Sequence, residues 1–362
     1  MWKCFNTCII LLILGEKCIL TSQFLLPDRQ ELLLVPSVAF RHHSESMALT
    51  AVAQLTDDWV LYAQGWFFEE NPFRAGLARS ILGTTVHDID RKRVAYFTGS
   101  GIRYKALCID GLKNEMCTQT DSNGLIETQF RLSNNDIDLF RVPGGSGGKV
   151  EYSVSTIDKN LQKKGEIFLC DDHGISFISD IDDTIKITGV TSARAVLRNT
   201  FSGEYKAVPG MSERYRHYES VYNATFHYLT ASPDQLYPFL REFFDREQFP
   251  LGSYHMRHFT WFDTNFFQFF ASKSFIRQKT NILHMFFQQT RSRQFILLGD
   301  IFQKDPEIYA NIYQNYPDRI LKIFIRVPKK KILDRLGEVF KDIPKNKWAT
   351  FVNGYDLPES IF

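Results

Sequence analysis

The sequence predicts a two-domain protein in which an all-β half is followed by an α/β half built on a parallel sheet. Its 362 residues exceed the roughly 150 of a typical domain. Before Asp171 short alternating strands are separated by turn residues, and after it apolar runs of strand length alternate with helical stretches. We therefore expect a sandwich-like or barrel-like β domain over residues 44–171 and a three-layer α/β domain over residues 172–345.

Composition and charge exclude several classes of protein. The 43 Lys and Arg residues nearly balance the 41 Asp and Glu residues, and the formal charge of +2 argues against a nucleic-acid binder held by phosphate contacts. Charged residues at 23% and hydrophobic residues at 44% are typical of a soluble globular chain and not of a disordered one. The 32 Phe residues are many, which indicates thick cores or an apolar contact surface.

The first 25 residues have more than one possible interpretation. One Lys precedes an apolar run, Ile9–Leu14, that is too short to cross a bilayer but fits a secretory signal or weak anchor. Asn6 and the lack of a clear cleavage site leave a misassigned start or a buried N-terminal strand equally open. The first reading makes the protein secreted or membrane-associated, whereas the others make it cytoplasmic and peripheral to membranes.

The six cysteines contain no CxxC pair, which excludes a zinc ribbon and a thioredoxin-like redox site. Only Cys108 and Cys117 lie close enough in sequence to suggest a disulfide across a hairpin. A disulfide framework is therefore not what holds this chain together.

Strands are predicted in the first half wherever β-branched and aromatic residues occupy alternate positions. They are Ala48–Leu55, Asp58–Phe68, Val94–Thr98, Lys105–Ile109, Leu125–Leu132, Lys149–Ile157 and Gly165–Cys170. We expect no helix of any length in this half.

The second half has the alternating strands and helices of a parallel sheet with helices on both faces. The predicted strands are Ile175–Ile178, Thr225–Leu229, Phe295–Leu298 and Ile320–Ile325, and the predicted helices are Leu236–Phe244, Asn281–Phe287 and Asp305–Tyr316. Ligands of such sheets bind at the carboxyl ends of the strands, so chemistry is expected at those junctions.

A buried apolar strand that leads directly into three carboxylates is the first sign of that chemistry. Ile175–Ile178 is followed by Ser179-Asp180-Ile181-Asp182-Asp183-Thr184. Residues i and i+2 of a strand point the same way, so Asp180 and Asp182 face one crevice, where their charges need a cation or a shared proton. Asp180 is then placed to attack phosphorus and Asp182 to act as acid and base. An acidic loop that caps a helix is the alternative.

Further polar side chains follow the other predicted strands, as phosphoryl transfer requires. Thr230 offers a hydroxyl to a phosphoryl oxygen, and Lys279, predicted to precede a helix, offsets negative charge. Asp300 follows a strand, with Asp305 five residues on, and Asp300, Asp180 and a backbone carbonyl form an oxygen-rich Mg²⁺ site. Each residue alone could be a cap, a solvated charge or a turn, but together they form an ordered set at successive junctions.

This ordered set resembles the haloacid dehalogenase-like superfamily, and in detail the actin-patch-associated phosphatidate phosphatase family. The matching segments are Phe177–Thr188, Tyr228–Pro233, Gly252–Arg257 and Gly299–Tyr309, with weaker similarity in the β half that includes Gln64-Gly65-Trp66. Three positions depart from the family pattern. Thr230 stands where Ser is usual, Asp234 where an aromatic is usual and Ile301 where Ser is usual.

The resemblance implies a Mg²⁺-dependent phosphatase that converts phosphatidate to diacylglycerol through an aspartyl-phosphate. It implies Asp180, Asp182, Thr230 and Lys279 as catalytic residues; Asp180, Asp182, Asp300 and Asp305 as metal ligands; and Thr184, Ser232 and Arg257 as substrate-binding residues.

Two features favour a phospholipid substrate. Neither insert, between Thr184 and Thr230 or between Ser232 and Lys279, has the length of a large cap domain, so the site is expected to be open. Seven of the twelve residues from Phe259 to Phe270 are aromatic, which suits peripheral contact with a membrane, although packing in a core is an equally ordinary role. The alternatives are a phosphatase of a phosphoprotein or another phosphomonoester, and a catalytically silent module that binds lipid or protein.

Overall fold

The first part of the chain forms a mixed sheet. The computed structural model describes residues 30–42, 58–145, 147–260, 273–328 and 333–362. Ten strands follow the order β1-β3-β2-β10-β9-β5-β6, with β4 and β7 paired to β3 and β8 paired to β9. They are β1 Gln30–Leu34, β2 Ser37–His42, β3 Asp58–Glu69, β4 Ser100–Gly101, β5 Ala106–Asp110, β6 Met116–Gln119, β7 Leu125–Ser133, β8 Arg141–Val142, β9 Lys149–Thr156 and β10 Gln162–Cys170. Among the described strands of this sheet, β2 and β10 are the one pair that runs parallel.

The prediction that this half lacks helices is wrong. It contains α1 Pro72–Leu82, α2 Arg91–Phe97 and α3 Asn134–Phe140. The segment Val94–Thr98, predicted as a strand, lies mostly in α2, because the Asp90 carboxylate caps that helix by accepting hydrogen bonds from the amides of Lys92 and Arg93. The predicted strand Ala48–Leu55 falls outside the described residues, and the other five predicted strands of this half are confirmed.

The second part forms the predicted parallel sheet. Its six strands have the order β13-β12-β11-β14-β15-β16, and all neighbouring pairs are parallel. The strands are β11 Ile175–Asp180, β12 Thr225–Pro233, β13 Gly252–Arg257, β14 Gln294–Asp300, β15 Ile320–Arg326 and β16 Trp348–Phe351. The helices are α4 Ala193–Phe201, α5 Met211–Tyr222, α6 Tyr237–Glu247, α7 Lys273–Gln289, α8 Asp305–Asn315 and α9 Leu333–Val339, with short 3₁₀ turns at Asp234–Leu236, Pro317–Arg319, Lys345–Lys347 and Gly354–Asp356.

The chain passes from one sheet to the other between Cys170 and Ile175, where the domain boundary was predicted, yet the two sheets share one apolar core. Trp66 and Phe68 of β3 belong to the same buried cluster as Phe177 of β11 and Tyr228 of β12. A backbone hydrogen bond of 2.9 Å also joins the Tyr254 amide of β13 to the Pro36 carbonyl. The first sheet therefore lies against the β13 edge of the second.

Helices α4 and α5, which lie in the insert between Thr184 and Thr230, pack into this shared core. Leu197, Phe201, Tyr215 and Tyr218 are all buried there. This insert is thus part of the body of the protein.

Candidate active site

The predicted site residues converge at the carboxyl edge of the parallel sheet. Asp180 ends β11, Thr230 and Ser232 lie near the end of β12, and Asp300 ends β14. Strand β11 is flanked by β12 and β14, so these three strand ends are neighbours. Strand β11 is buried on both faces, and this burial includes Ser176 and Ser179, which interrupt its apolar residues.

Three carboxylates form a compact acidic group. Oxygens of Asp180, Asp300 and Asp305 all lie within 4.8 Å of one another, and all three residues are buried. The Lys279 ammonium lies among them, donating to Asp180 Oδ1 at 3.0 Å and to Asp305 Oδ1. Lys279 lies inside α7, contrary to the prediction that it precedes a helix, because that helix begins earlier.

Backbone geometry at the start of α8 holds two of the three acids. The Asp300 amide donates to Asp305 Oδ2 at 3.1 Å, and Asp300 Oδ1 accepts from the amides of Phe302 and Gln303. Gly299 makes this possible, because a Cβ there would lie 2.4 Å from Asp305 Oδ2. Both acids are therefore fixed by the local turn.

The acidic group fits a divalent cation bound by oxygen. Asp300 Oδ2 is buried and has no hydrogen-bond partner among the described residues, which is unusual for a buried polar atom. Burial and the nearby Asp305 charge raise the pKa of Asp300 to about 8, and burial also raises the pKa of Asp180 well above its ordinary range. One ammonium thus leaves the three carboxylates under-neutralised, and a hard cation with carboxylate ligands would complete the group.

The Asp182 carboxylate does not belong to this acidic group. Its Oδ1 accepts from Lys186 Nζ and from the Thr188 hydroxyl, each at 2.7 Å, and its Oδ2 accepts from the hydroxyls of Thr230 at 2.7 Å and Ser232 at 2.9 Å. Burial opposes ionisation, but the Lys186 charge and these hydrogen bonds lower the pKa of Asp182 to about 2. In this arrangement Asp182 is an anion, which suits a base and not an acid.

Several residues that support Asp182 were missed by the sequence analysis. Lys186 is 2% exposed, and its ammonium also lies 4.6 Å from the centre of the Tyr205 ring. Asp183 has a left-handed backbone (φ 57°), and its carboxylate accepts from the amides of Thr188, Gly189 and Val190, which closes the loop after β11. Lys186 lies four residues after Asp182, and this spacing of an acid and a base could have indicated an ion pair between them.

The predicted substrate-binding residues occupy different positions. Thr184 donates its hydroxyl to Asp180 Oδ2 at 2.9 Å, so it positions the predicted nucleophile. Ser232 binds Asp182, as described. Arg257 ends β13, across from Pro233, and lines a cavity of about 280 Å³ that Gln64 and Glu127 of the first sheet also line. This cavity lies where the β13 edge meets the first sheet.

Asp234, one of the departures from the family pattern, forms a partly buried pair with His258. His258 Nδ1 lies 2.9 Å from Asp234 Oδ1, and its ring packs edge-on against Trp66, with centroids 5.1 Å apart. Burial lowers the pKa of His258, but the Asp234 charge outweighs it and raises the pKa above its usual value. The pair thus fixes the loop after β13 against the first sheet.

The aromatic insert is only partly described. Phe259 is 2% exposed, stacks on Phe97 at 4.7 Å and is held by Gln235, so this residue is part of the core and not of a membrane surface. The other six aromatics, from Trp261 to Phe270, lie outside the described residues. Within the described part of the chain, no helix has both the length and the apolar character needed to span a bilayer.

Comparisons with known proteins agree with the motifs. Residues 175–327 match the family model described as phosphatidate phosphatase APP1, catalytic domain. The chain is similar to an uncharacterized protein of Schizosaccharomyces pombe (35% identical over 165 residues, 44% of this chain and 26% of that protein). It is also similar to phosphatidate phosphatase APP1 of Saccharomyces cerevisiae (32% over 165 residues, 45% of this chain and 27% of that protein).

The chain thus covers about a quarter of the length of these curated relatives. A solved structure of a carbohydrate esterase is 9% identical and aligns over 90% of this chain and 88% of its own, with a TM-score of 0.19 that supports no comparison of folds. The resemblance inferred from the motifs is confirmed by the family match. Residues 175–327 of this chain match the catalytic-domain family of the APP1 phosphatidate phosphatases.

Proposed function

We propose that the chain is a Mg²⁺-dependent phosphatase that hydrolyses phosphatidate to diacylglycerol and phosphate. The observation that carries the proposal is the buried group of Asp180, Asp300, Asp305 and Lys279, which lies inside the segment that matches the catalytic-domain family. Mononuclear oxygen sites of this kind suit phosphoryl transfer, in which positioning and neutralisation of charge do most of the catalysis.

Asp180 is the proposed nucleophile. One of its oxygens forms a bond to phosphorus as the bond from phosphorus to the lipid alkoxide breaks, which gives an aspartyl-phosphate. Attack by water on this intermediate then releases phosphate and regenerates the carboxylate. Lys279 and Thr184 hold the two Asp180 oxygens from different sides and so fix the direction of attack.

Mg²⁺ bound by Asp180, Asp300 and Asp305 would neutralise these carboxylates and the charge on the phosphoryl oxygens. The Lys186 ammonium keeps the Asp182 carboxylate ionised, so Asp182 would take a proton from the attacking water. The proton that Asp182 takes from this water is the one that it gives to the leaving alkoxide of the next turnover. While it is protonated, Asp182 Oδ2 no longer accepts from Thr230, whose hydroxyl is then available to a phosphoryl oxygen.

The proposed function also involves the domains around the site and contact with a membrane. The parallel sheet and the order of its strands support a haloacid dehalogenase-like domain that runs past the predicted limits 172–345 to include β16. The β-rich domain before it starts earlier than the predicted limits 44–171, because β1 and β2 belong to its sheet. We infer contact with the membrane through the aromatics from Trp261 to Phe270, which follow the strand end that carries Arg257.

Activity on phosphatidate vesicles tests the function. Purified protein should release phosphate with Mg²⁺ and not with EDTA, and Asp180→Asn should reduce the rate by at least about a thousandfold, because a nucleophile is lost. Asp318→Asn, which removes an exposed acid just before β15, is the matched control and should retain the rate. Full activity of Asp180→Asn would refute the mechanism.

Binding of the metal has its own readout. Mg²⁺ should raise the midpoint of thermal unfolding of the wild type, because a ligand that binds only the folded state stabilises it. Asp300→Asn should abolish this shift, and Asp318→Asn should preserve it. An equal shift in all three proteins would place the cation elsewhere.

A second candidate is a phosphatase of a more polar phosphomonoester. The 280 Å³ cavity favours it, since Gln64, Glu127, Gln278 and His258 offer hydrogen bonds and not an apolar channel for acyl chains. Turnover of phosphatidate, diacylglycerol pyrophosphate and a phosphopeptide by the same preparation separates the candidates.

A further inference from the structure

A second cavity lies beside the catalytic edge, on the side of the first sheet. Its volume is about 200 Å³, and its described lining includes Trp66, Arg74, Ser100, Arg103, Asn123 and His258. We call it the Arg74–Arg103 cavity. Both halves of the chain contribute to it, and the site described above uses none of its arginines.

The charge of this cavity is one-sided. Arg74, Arg103 and His258 line it, and none of its described lining residues is Asp or Glu. Asp234 and Asp121 act on His258 from outside the lining and raise its pKa against the effect of burial. Burial lowers the pKa of Arg74, whose half-buried guanidinium already donates to Ser100, so an anion would add to its existing partners.

Neutral donors accompany these charges. The Ser100 hydroxyl accepts from Arg74 Nη1 and from Asn71 Nδ2, each at 3.2 Å, which leaves its own proton for donation. Ser122, Asn123 and Thr260 add further polar groups. A cluster of guanidinium, imidazole and hydroxyl groups has the chemistry that recognises phosphate oxygens.

The cavity is built by close backbone contacts. A Cβ at Gly101 would lie 1.8 Å from the Asn123 carbonyl oxygen, and one at Gly99 would lie 2.6 Å from the Phe68 ring. The Trp66 indole donates to the same Asn123 carbonyl at 3.0 Å. Because these contacts leave no room for side chains at the two glycines, the floor of the cavity is fixed in shape.

The cavity is adjacent to the catalytic edge and separate from it. Pro233 of β12 pairs with Arg257 of β13. His258, which follows Arg257 in the chain, lines the cavity. Ser232, which binds Asp182, directly precedes Pro233. A short backbone path thus joins the catalytic residues to the cavity wall.

We propose that the Arg74–Arg103 cavity is a non-catalytic binding site for a phosphate-bearing anion, either a lipid headgroup or a soluble phosphate compound. This site goes beyond the proposed phosphatase function, because its residues take no part in the reaction. A bound anion would bridge the two halves of the chain, because both contribute lining residues.

Calorimetric titration with inorganic phosphate in EDTA tests the site. Without a cation the Asp180 group repels phosphate, so the signal reports the cavity. Arg103→Gln and Arg74→Gln should each weaken binding by about tenfold or more, as expected when a charged hydrogen bond is lost. Arg131→Gln removes an exposed arginine of β7 outside the lining and should bind like wild type, whereas Arg74→Lys should retain part of the affinity.

Sedimentation with phosphatidylcholine vesicles, with and without phosphatidylglycerol, identifies the source of the anion. Loss of phosphate binding alone in Arg103→Gln assigns a soluble phosphate compound, and loss of vesicle binding as well assigns a lipid headgroup. Equal phosphate affinity of wild type, Arg74→Gln and Arg103→Gln would overturn the proposal. Failure of the phosphatase function would appear instead as absent turnover by wild type, whatever the binding result.

Discussion

The partly buried pair of Asp234 and His258 makes the stability of the protein sensitive to pH near neutrality. The pKa of His258 is raised above its unfolded value, so its contribution to stability is fully present below about 6.5 and is lost as pH rises through the folded pKa. In Asp234→Asn the effect of burial dominates and the pKa should fall below the ordinary value. Histidine NMR titrations and urea unfolding at several pH values check both statements, and an unchanged His258 pKa in the variant would contradict them.

The positions of Asp180, the proposed nucleophile, and of Asp300, a proposed metal ligand, were the most predictable of the site. Asp180 and Asp300 follow apolar strands directly, so their positions depend on the end of a strand and on little else. The surroundings of Asp182 were not predictable, since Lys186 and Thr188 reach it only because Asp183 turns the backbone into a left-handed conformation. A left-handed residue in a loop is hard to predict from a single sequence.

At the scale of elements, the junction between β14 and α8 depends on Gly299. Gly299→Ala should displace the Asp305 carboxylate, because the new Cβ would meet it at 2.4 Å, and stabilisation by Mg²⁺ should be lost. Thermal unfolding with and without Mg²⁺ measures this effect. The control is Gly337→Ala in α9, where a Cβ meets nothing within 4 Å and alanine should add about 0.5–1 kcal/mol of stability. A normal Mg²⁺ shift in Gly299→Ala would show that Asp305 tolerates the change.

The hairpin of β5 and β6 is closed by the disulfide between Cys108 and Cys117, as the spacing of the cysteines suggested. Cys117→Ser should lower the free energy of unfolding by about 2–3 kcal/mol, the loop entropy expected for a short closed loop. Urea unfolding with and without reductant measures it. The reductant should destabilise the wild type by a similar amount and leave the variant unchanged, and equal sensitivity of both proteins would contradict the prediction.

Strands of both sheets were predictable from alternation and apolar runs, whereas the short helices of the first half were not. Helix α3 begins with a capping box in which Ser133 and Asp136 bind each other's backbone amides, but its seven residues are too few to show a helical period. Helix α1 begins at Pro72, directly after its cap Asn71, and this start signal stands out only once the preceding strand is known to end at Glu69.

At the scale of the whole molecule, the shared core predicts cooperative unfolding. Trp66 and Phe97 from the first half pack in one cluster with Phe226 and Phe259 from the second. The full chain should unfold in a single urea transition seen alike by far-UV circular dichroism and tryptophan fluorescence. A fragment that starts at Asp171 should expose this apolar surface and bind a hydrophobic dye. Two separated transitions of the full chain would instead indicate halves that are stable alone.

The parallel pairing of β2 with β10 has a consequence for synthesis on the ribosome. Strands β1, β2 and β3 are made first and can pair with one another, but the other edge of β2 stays open until residues 167–170 emerge. The Pro36 carbonyl likewise has no hydrogen bond from the Tyr254 amide until β13 has been made. The nascent chain therefore carries an unpaired strand edge through much of its translation, the condition under which a chaperone matters most.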